Sequence, residues 1–324
     1  MTTYPHASPF AQHVRAGLTA AQAYLSSRFI YDERGSRLFQ EIMTLDEYYL
    51  TRAEYATLER EGGAIAEAFA EGGRPVDLIE LGAGDGTKTK LLLAELLRRG
   101  APLRYRPIDI SGDILGVLGD DLREHLPALE FAPIVGTYLE ALAALPPDPT
   151  RKRVVLFLGS NLGNFSLSEA GDFLGAITRT LSAGDQLFLG VDLRKDPRRI
   201  LRAYDDAAGV TARFNLNLLH RLRGELGARL DVDGWGFYPI YNPETGEVRS
   251  YLYPRGEQPI RIPLLGIDRI FGEHEAIHTE ISRKYSLGEL AALAEACGCE
   301  TTGEWVAEEG FVDVLWERSS APGS

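Results

Sequence analysis

The run Glu80-Leu81-Gly82-Ala83-Gly84-Asp85-Gly86-Thr87-Lys88-Thr89 puts a carboxylate, three glycines at alternate positions and a Lys-Thr pair into one short stretch. Glycines so spaced let a backbone close around a ligand that side chains would exclude. A triphosphate loop needs G-x-x-x-x-G-K-[ST], and a dinucleotide loop needs G-x-G-x-x-G. Both patterns require glycine at position 87, where Thr87 stands and crowds the backbone that should wrap a phosphate. What remains is an acid followed by G-x-G-x-G, which suits a ligand with no pyrophosphate. Glu80, at a strand end, can meet an ammonium group. The next strand-like run closes on "PIDIS", where Asp109 can accept from both hydroxyls of a ribose.

Two further constellations could do chemistry. "GSNLGN" follows an apolar strand directly, and the amide of Asn164 can accept from an amine while donating to a carboxylate. "AIHTEIS" alternates apolar and polar residues, so a strand there would put His278, Glu280 and Ser282 on one face. A carboxylate and a hydroxyl together can address the two ring nitrogens of an imidazole. The overlapping "HEAIH", His274 to His278, matches H-E-x-x-H, but that pattern holds zinc only on a helix. The period-two surroundings argue against one, and no metal is expected. Cys297 and Cys299 are one residue apart, a poor separation for a disulfide, and are read as two reduced thiols.

The elements that must position these residues are legible as a rhythm. From Val76 onward, apolar strand-like runs alternate with helix-like stretches: "VDLIELG" then "TKTKLLLAELLRRG", "LRYRPIDI" then "SGDILGVLGDDLREHL", "LEFAPIVG", "RVVLFLG", and "DQLFLGVDL". Ser166 and Glu169 fit a capping box before one of these helices. Five β-α repeats predict a parallel sheet with helices on both faces, a doubly wound α/β core. The rhythm fails from Arg194 to about Lys284, where a long polar helical region and Tyr- and Arg-rich strands intervene, and then resumes. The expected domains are therefore a core of residues 53–194 and 285–324 and a second domain of residues 1–52 and 195–284. A ligand is expected above the carboxyl ends of the core strands.

The chain has 324 residues, 44% of them hydrophobic, and a formal net charge of -13. Such an acidic chain repels a phosphate backbone, which disfavours a nucleic-acid partner. No apolar run approaches a bilayer span, and "MTTYPHASPFAQHVRAGL" has no apolar core of a signal peptide, so a cytoplasmic protein with no membrane partner is expected.

The acid followed by G-x-G-x-G resembles the first motif of class I S-adenosylmethionine-dependent methyltransferases. Longer fragments resemble the L-histidine Nα-methyltransferases of ergothioneine biosynthesis across nearly the whole chain: "FIYDERGSRLFQEIMTLDEYYLTRAE", "LFLGSNLGNF", "RAYDDAAGVTARFN" and "HTEISRKYS". The resemblance implies a Rossmann-like core with a substrate-binding domain formed by the N-terminal segment and a late insertion. It implies S-adenosylmethionine as cofactor and trimethylation of the α-amine of L-histidine to hercynine; a monomer is expected. Tyr48, Asn164 and Tyr204 match residues that hold the substrate's carboxylate and amine, and Tyr31 a tyrosine near the amino group. Asn164 and Tyr31 are thus the candidate catalytic residues. Glu280 and Ser282 match the pair that grips the imidazole. Gly82, Lys88, Asp109 and Gly159 match cofactor contacts, joined by Glu80, Gly84 and Gly86 of the motif. Thr137 and Tyr138 stand where the family usually has an acid and an aromatic for the adenine. Asn161 replaces a frequent Thr, and Ser250 stands where a Met is expected against the imidazole. A tryptophan-methylating branch shares this architecture, so another amino acid is the alternative acceptor. A nicotinamide oxidoreductase and a non-catalytic amino-acid-binding protein are the readings from other classes.

Overall fold

A computed structural model describes residues 8–320, which form two compact units: residues 8–49 with 195–283, and residues 50–194 with 284–320. The first unit opens with α1 (Pro9–Thr19) and α2 (Glu33–Met43). Ser8 and Asp32 cap them, accepting from the amides of Ala11 at 3.1 Å and Gly35 at 2.7 Å. The second unit follows with α3 (Leu50–Ala70), β1 (Val76–Leu81), α4 (Thr89–Arg98), β2 (Leu103–Asp109), α5 (Gly112–His125), β3 (Glu130–Phe131), β4 (Ile134–Val135), α6 (Tyr138–Ala144), β5 (Lys152–Phe157), α7 (Leu167–Thr178) and β6 (Gln186–Asp192). The first unit resumes with α8 (Pro197–Tyr204), α9 (Val210–Leu226), β7 (Trp235–Asn242), β8 (Glu247–Pro254), β9 (Gln258–Ile262), β10 (Ile267–Phe271) and β11 (Ile277–Arg283). The second closes with α10 (Leu287–Ala296), β12 (Cys299–Val306) and β13 (Phe311–Arg318).

The second unit is built on one sheet of order β12-β13-β6-β5-β1-β2-β3, with β4 also pairing β2. The strands from β6 to β4 pair in parallel, while β13 runs antiparallel to both β6 and β12. The sheet is therefore mixed rather than parallel throughout. Its last two strands are joined by the short turn Ala307–Gly310, and a connection that tight cannot make a parallel crossover. The expected third strand, "LEFAPIVG", is split into β3 and β4 around Pro133, which has no N–H to give a ladder.

Side chains along the central strands go alternately to two cores. Val155 and Phe157 of β5 join Leu187 and Leu189 of β6 and helix residues Phe173, Leu174 and Leu290 on one face. Val154 and Leu156 join Phe188, Leu58, Leu92 and Leu118 on the other. Burial on both faces is why these strands read as continuous apolar runs.

In the first unit, β11-β8-β7 form an antiparallel sheet and β10-β9 a separate pair. They share a core with α1, α2 and α9 through Leu18, Leu38, Phe214, Trp235, Leu252 and Ile277. The long polar helical stretch of the sequence divides into α8 and α9, because the Asp206 carboxylate accepts the amides of Val210 and Thr211, each at 2.8 Å, and starts a new helix there. No helix among the described residues is long and apolar enough to cross a membrane.

Candidate active site

In the second unit, β2, β1, β5 and β6 are adjacent and parallel, so their carboxyl ends form one edge. The strand order reverses at β1, the place where open α/β sheets leave a crevice. The glycine loop leaves β1 at this edge with φ of +78° at Gly82, +54° at Gly84 and +66° at Gly86, a backbone that side-chain-bearing residues rarely adopt. Two of these glycines are also crowded by side-chain tips. A Cβ on Gly82 would lie 2.5 Å from the Tyr138 hydroxyl, and one on Gly86 2.5 Å from Leu118 Cδ1. A Cβ on Gly84 would meet nothing within 4 Å, so the apex of the loop faces open space.

Glu80 also has partners within the protein. It is buried, with Oε1 accepting from the Thr89 hydroxyl at 2.6 Å and Oε2 from the Tyr105 hydroxyl. Burial pushes its acid up to about 7, against the pull of those two hydrogen bonds. Glu80 thus ties the loop's far end to β2. Asp109 closes β2 at the edge, and its Oδ1 accepts the Ser111 amide at 2.9 Å. Thr137 caps α6 and donates to Glu140 at 2.5 Å. Tyr138 turns instead toward the glycine loop and Phe157, with its hydroxyl over Gly82.

After β5, Gly159 (φ +78°) and Ser160 (φ +56°) are both left-handed, and Ser160 is the one non-glycine residue so placed among those described. Its strain is held by the Asp192 amide, which donates to the Ser160 hydroxyl at 3.1 Å, and by its own amide, which donates to the Gly190 carbonyl at 3.1 Å. This turn sets up the 3-10 segment Asn161–Asn164, where Asn161 donates to the Leu158 carbonyl at 2.8 Å and Asn164 is exposed. Lys88 is ion-paired with Glu54 of α3, whose carboxylate also accepts the Gly159 amide at 2.8 and 3.1 Å. Burial alone would lower the Lys88 ammonium, but the charge and hydrogen bond of Glu54 hold it above its ordinary value.

The first unit gathers its own set. Tyr31 packs against Phe39 and Phe214 at 5.5 and 5.3 Å between ring centroids, and Phe39 against Tyr48 at 6.3 Å. Tyr48 meets Tyr204 at 6.4 Å, and the Tyr204 hydroxyl is 2.7 Å from that of Ser282. Four expected residues thus form one connected aromatic and hydroxyl cluster, and Glu280 stands two positions from Ser282 on β11. Glu280 and Ser282 pair in register with Ser250 and Val248, so they share a face. The expectation that His278 joins them is corrected by an irregularity between His278 and Glu280 that resets the alternation. His278 packs instead on Tyr251 at 5.3 Å, and its backbone bonds to Ala23 and Leu25. His274 lies in a turn and His278 in a strand, so "HEAIH" lacks the helix a zinc pattern needs, and no metal-holding cluster occurs among the described residues.

Sequence reading missed Glu54, Ser160 and Asp313. Glu54 lies in a helical stretch where a glutamate reads as solvated, and nothing in the sequence marks the left-handed Ser160. Asp313, a lone acid inside the apolar run "GFVDVLWE", carried a signal that went unused.

A family model described as histidine-specific, SAM-dependent methyltransferase matches residues 10–318. The chain is 37% identical over 310 residues to the histidine N-alpha-methyltransferase of Mycolicibacterium smegmatis, covering 94% of this chain and 93% of that protein. It is 34% identical over 297 residues to the histidine N-alpha-methyltransferase of Mycobacterium tuberculosis, with 92% and 91% covered. Ergothioneine biosynthesis protein 1 of Neurospora crassa is 31% identical over 290 residues, which are 87% of this chain and 32% of that longer protein. With its Rossmann-like mixed sheet and glycine loop, the chain belongs to the histidine-specific, S-adenosylmethionine-dependent methyltransferases.

Proposed function

We propose that this enzyme methylates the α-amine of L-histidine three times to give hercynine, a step toward ergothioneine. The observation that carries the reading is the near full-length similarity to two histidine N-alpha-methyltransferases. The pairing of Glu280 and Ser282 on one face of β11 supports the imidazole assignment.

The donor set fits S-adenosylmethionine: a left-handed glycine loop with open space at Gly84, and a carboxylate at the end of the next strand. In this proposal Glu80, Gly82, Gly84, Gly86, Lys88, Asp109, Thr137, Tyr138 and Gly159 hold the cofactor, and Glu80 also supports the loop through Thr89 and Tyr105. Bound there, S-adenosylmethionine supplies an electrophilic methyl group on a sulfonium. The first unit is proposed to be the substrate-binding domain, with Tyr48 and Tyr204 for the carboxylate and amine and Glu280 and Ser282 for the ring. Tyr31 and Asn164 are assigned to the amine. The tyrosines and the asparagine at the amine are neutral but polar, which suits a reaction in which positive charge on sulfur is dispersed; a strong anion beside it would hold the ground state instead. Orientation of the amine, with water excluded, supplies most of the rate. The proposal extends to a cytoplasmic monomer acting on the free amino acid, with no nucleic-acid or membrane partner.

The test is purified protein with S-adenosylmethionine and each of the twenty amino acids, read by mass. Histidine gaining three methyl groups is the expected result. A preference for tryptophan would move the assignment to another acceptor, and no methylation of any amino acid would end it.

A further inference from the structure

Beneath the edge that carries the glycine loop, α3 sends one carboxylate into the sheet. Glu54 has no exposed surface. Its oxygens collect the Lys88 ammonium, from the segment after the glycine loop, and the Gly159 amide, from the turn after β5. Those segments leave neighbouring parallel strands, and Glu54 ties them together. β6 makes room for it: a Cβ on Gly190 would lie 1.9 Å from Glu54 Oε1. The same point is 3.1 Å from Asp313 Oδ1, since Asp313 pairs with Gly190 across the β6–β13 ladder. Asp313 is fully buried, and neither of its oxygens has a hydrogen-bonding partner among the described residues.

Two buried carboxylates thus share a space served by one lysine. A buried ion persists only when paired and hydrogen-bonded. Glu54 has both the cation and the amide, whereas Asp313 has neither. When like charges crowd together, the less well served group keeps its proton. Burial first, and then the Glu54 charge, push the Asp313 acid well above its usual range, against the weaker pull of Lys88.

We infer that Glu54 is the positioning residue of the cofactor site, fixing Lys88 and the Gly159 amide through its two buried oxygens. The inference rests on the reading above, in which Lys88 and Gly159 touch S-adenosylmethionine. Glu54 itself touches no substrate; it acts through those two groups. A glutamine at 54 keeps the volume but turns a donor toward one of the two donors that Glu54 now serves, leaving Lys88 without its counter-ion.

The experiment is steady-state kinetics on the full chain for wild type, Glu54→Gln, Lys88→Met and the double variant, varying S-adenosylmethionine and histidine separately. Glu54→Gln is expected to raise the KM for S-adenosylmethionine by about tenfold or more, the scale of one charge-assisted hydrogen bond, with the KM for histidine within about twofold. The double variant is expected to be no worse than the worse single one, because residues acting as one unit are not additive. An S-adenosylmethionine KM in Glu54→Gln within twofold of wild type overturns the inference, as do fully additive effects. If Glu54→Gln shows no cooperative melting, Glu54→Asp, which keeps the carboxylate but withdraws it by one methylene, decides: a selective rise in the S-adenosylmethionine KM supports the inference, and an unchanged KM sinks it. Failure of wild type to methylate histidine would count against the proposed function instead, and calorimetric titration of S-adenosylmethionine into the same variants would still test Glu54.

Discussion

Asp109 reaches the edge of the sheet with its orientation already set by the Ser111 amide at 2.9 Å. Removing a charged acceptor for two hydroxyls in Asp109→Ala should weaken S-adenosylmethionine binding by about 1.5–3 kcal/mol, measured by titration calorimetry. Unchanged affinity would take Asp109 out of the site. Glu280→Ala should raise the KM for histidine about ten- to a hundredfold and leave cofactor affinity nearly intact, because a carboxylate meeting a ring N–H is worth about 1.5–3 kcal/mol. Equal histidine kinetics in the two proteins would remove the imidazole assignment. Glu80 yields a pH prediction. Burial raises its acid from 4.5 to about 7, so the folded state holds the proton more tightly than the unfolded one. Its contribution to stability is complete below pH 4.5 and is lost as pH rises through 7, on the order of 3 kcal/mol at most. Urea titrations from pH 5 to 8 should show wild type losing stability that Glu80→Gln does not lose; parallel curves would contradict this. At this scale, sequence was informative where placement follows from a local pattern: Asp109 does end β2, and Glu280 and Ser282 do share a face of β11. It was silent where function depends on an unforeseen neighbour. Nothing in "LIELG" says that Thr89 and Tyr105 will occupy both oxygens of Glu80, because Tyr105 arrives from the next strand.

Elements were legible to the extent that their signals are local. The Ser166–Glu169 box is such a signal: the Glu169 amide donates to the Ser166 hydroxyl at 3.4 Å, and the Glu169 carboxylate accepts the Ser166 amide at 2.9 Å. Ser166→Ala should cost about 1 kcal/mol of stability, read from denaturant midpoints at constant slope. A loss below about 0.3 kcal/mol would mean that the cap adds little beyond solvent hydrogen bonding. What failed at this scale depended on pairing partners. The irregularity in β11 is set by β8, so alternation in "AIHTEIS" overextended the shared face to His278. The antiparallel β13 is likewise invisible in a strand whose residues are buried on both faces. The break between α8 and α9 was written in the sequence as Asp206 and Gly209, but helical periodicity on either side concealed it.

On the scale of the whole molecule, cofactor binding and folding are linked. A ligand held by the native state alone adds about 2.7 kcal/mol at a hundred times its Kd. Thermal unfolding with S-adenosylmethionine at that excess should therefore show a raised midpoint in wild type and a smaller rise in Asp109→Ala. Equal shifts in the two proteins would detach Asp109 from the linkage. The division into two units was foreshadowed by the break in the β-α rhythm, which registers composition and period without needing any contact. The structure assigns residues 50–52 and Lys284 to the sheet-bearing unit, a detail that rhythm cannot supply.

The two places where the chain leaves and rejoins that sheet-bearing unit lie side by side. Leu193 and Tyr285 form a parallel bridge, the Arg194 amide donates to the Tyr285 carbonyl at 2.8 Å, and the fully buried Lys284 and Asp192 form an ion pair at 2.9 Å. In polymer terms, the intervening stretch of about ninety residues is a loop whose neck is tied by the host sheet. The entropy of closing such a loop grows only with the logarithm of its length, about 0.6 kcal/mol for each doubling. Insertions, deletions or wholesale exchange beyond the neck therefore leave the register of β6 and its neighbours almost untouched. On the proposed assignment of the first unit to the acceptor, an architecture of this kind changes what it methylates by rewriting the loop while the strand ends stay constant.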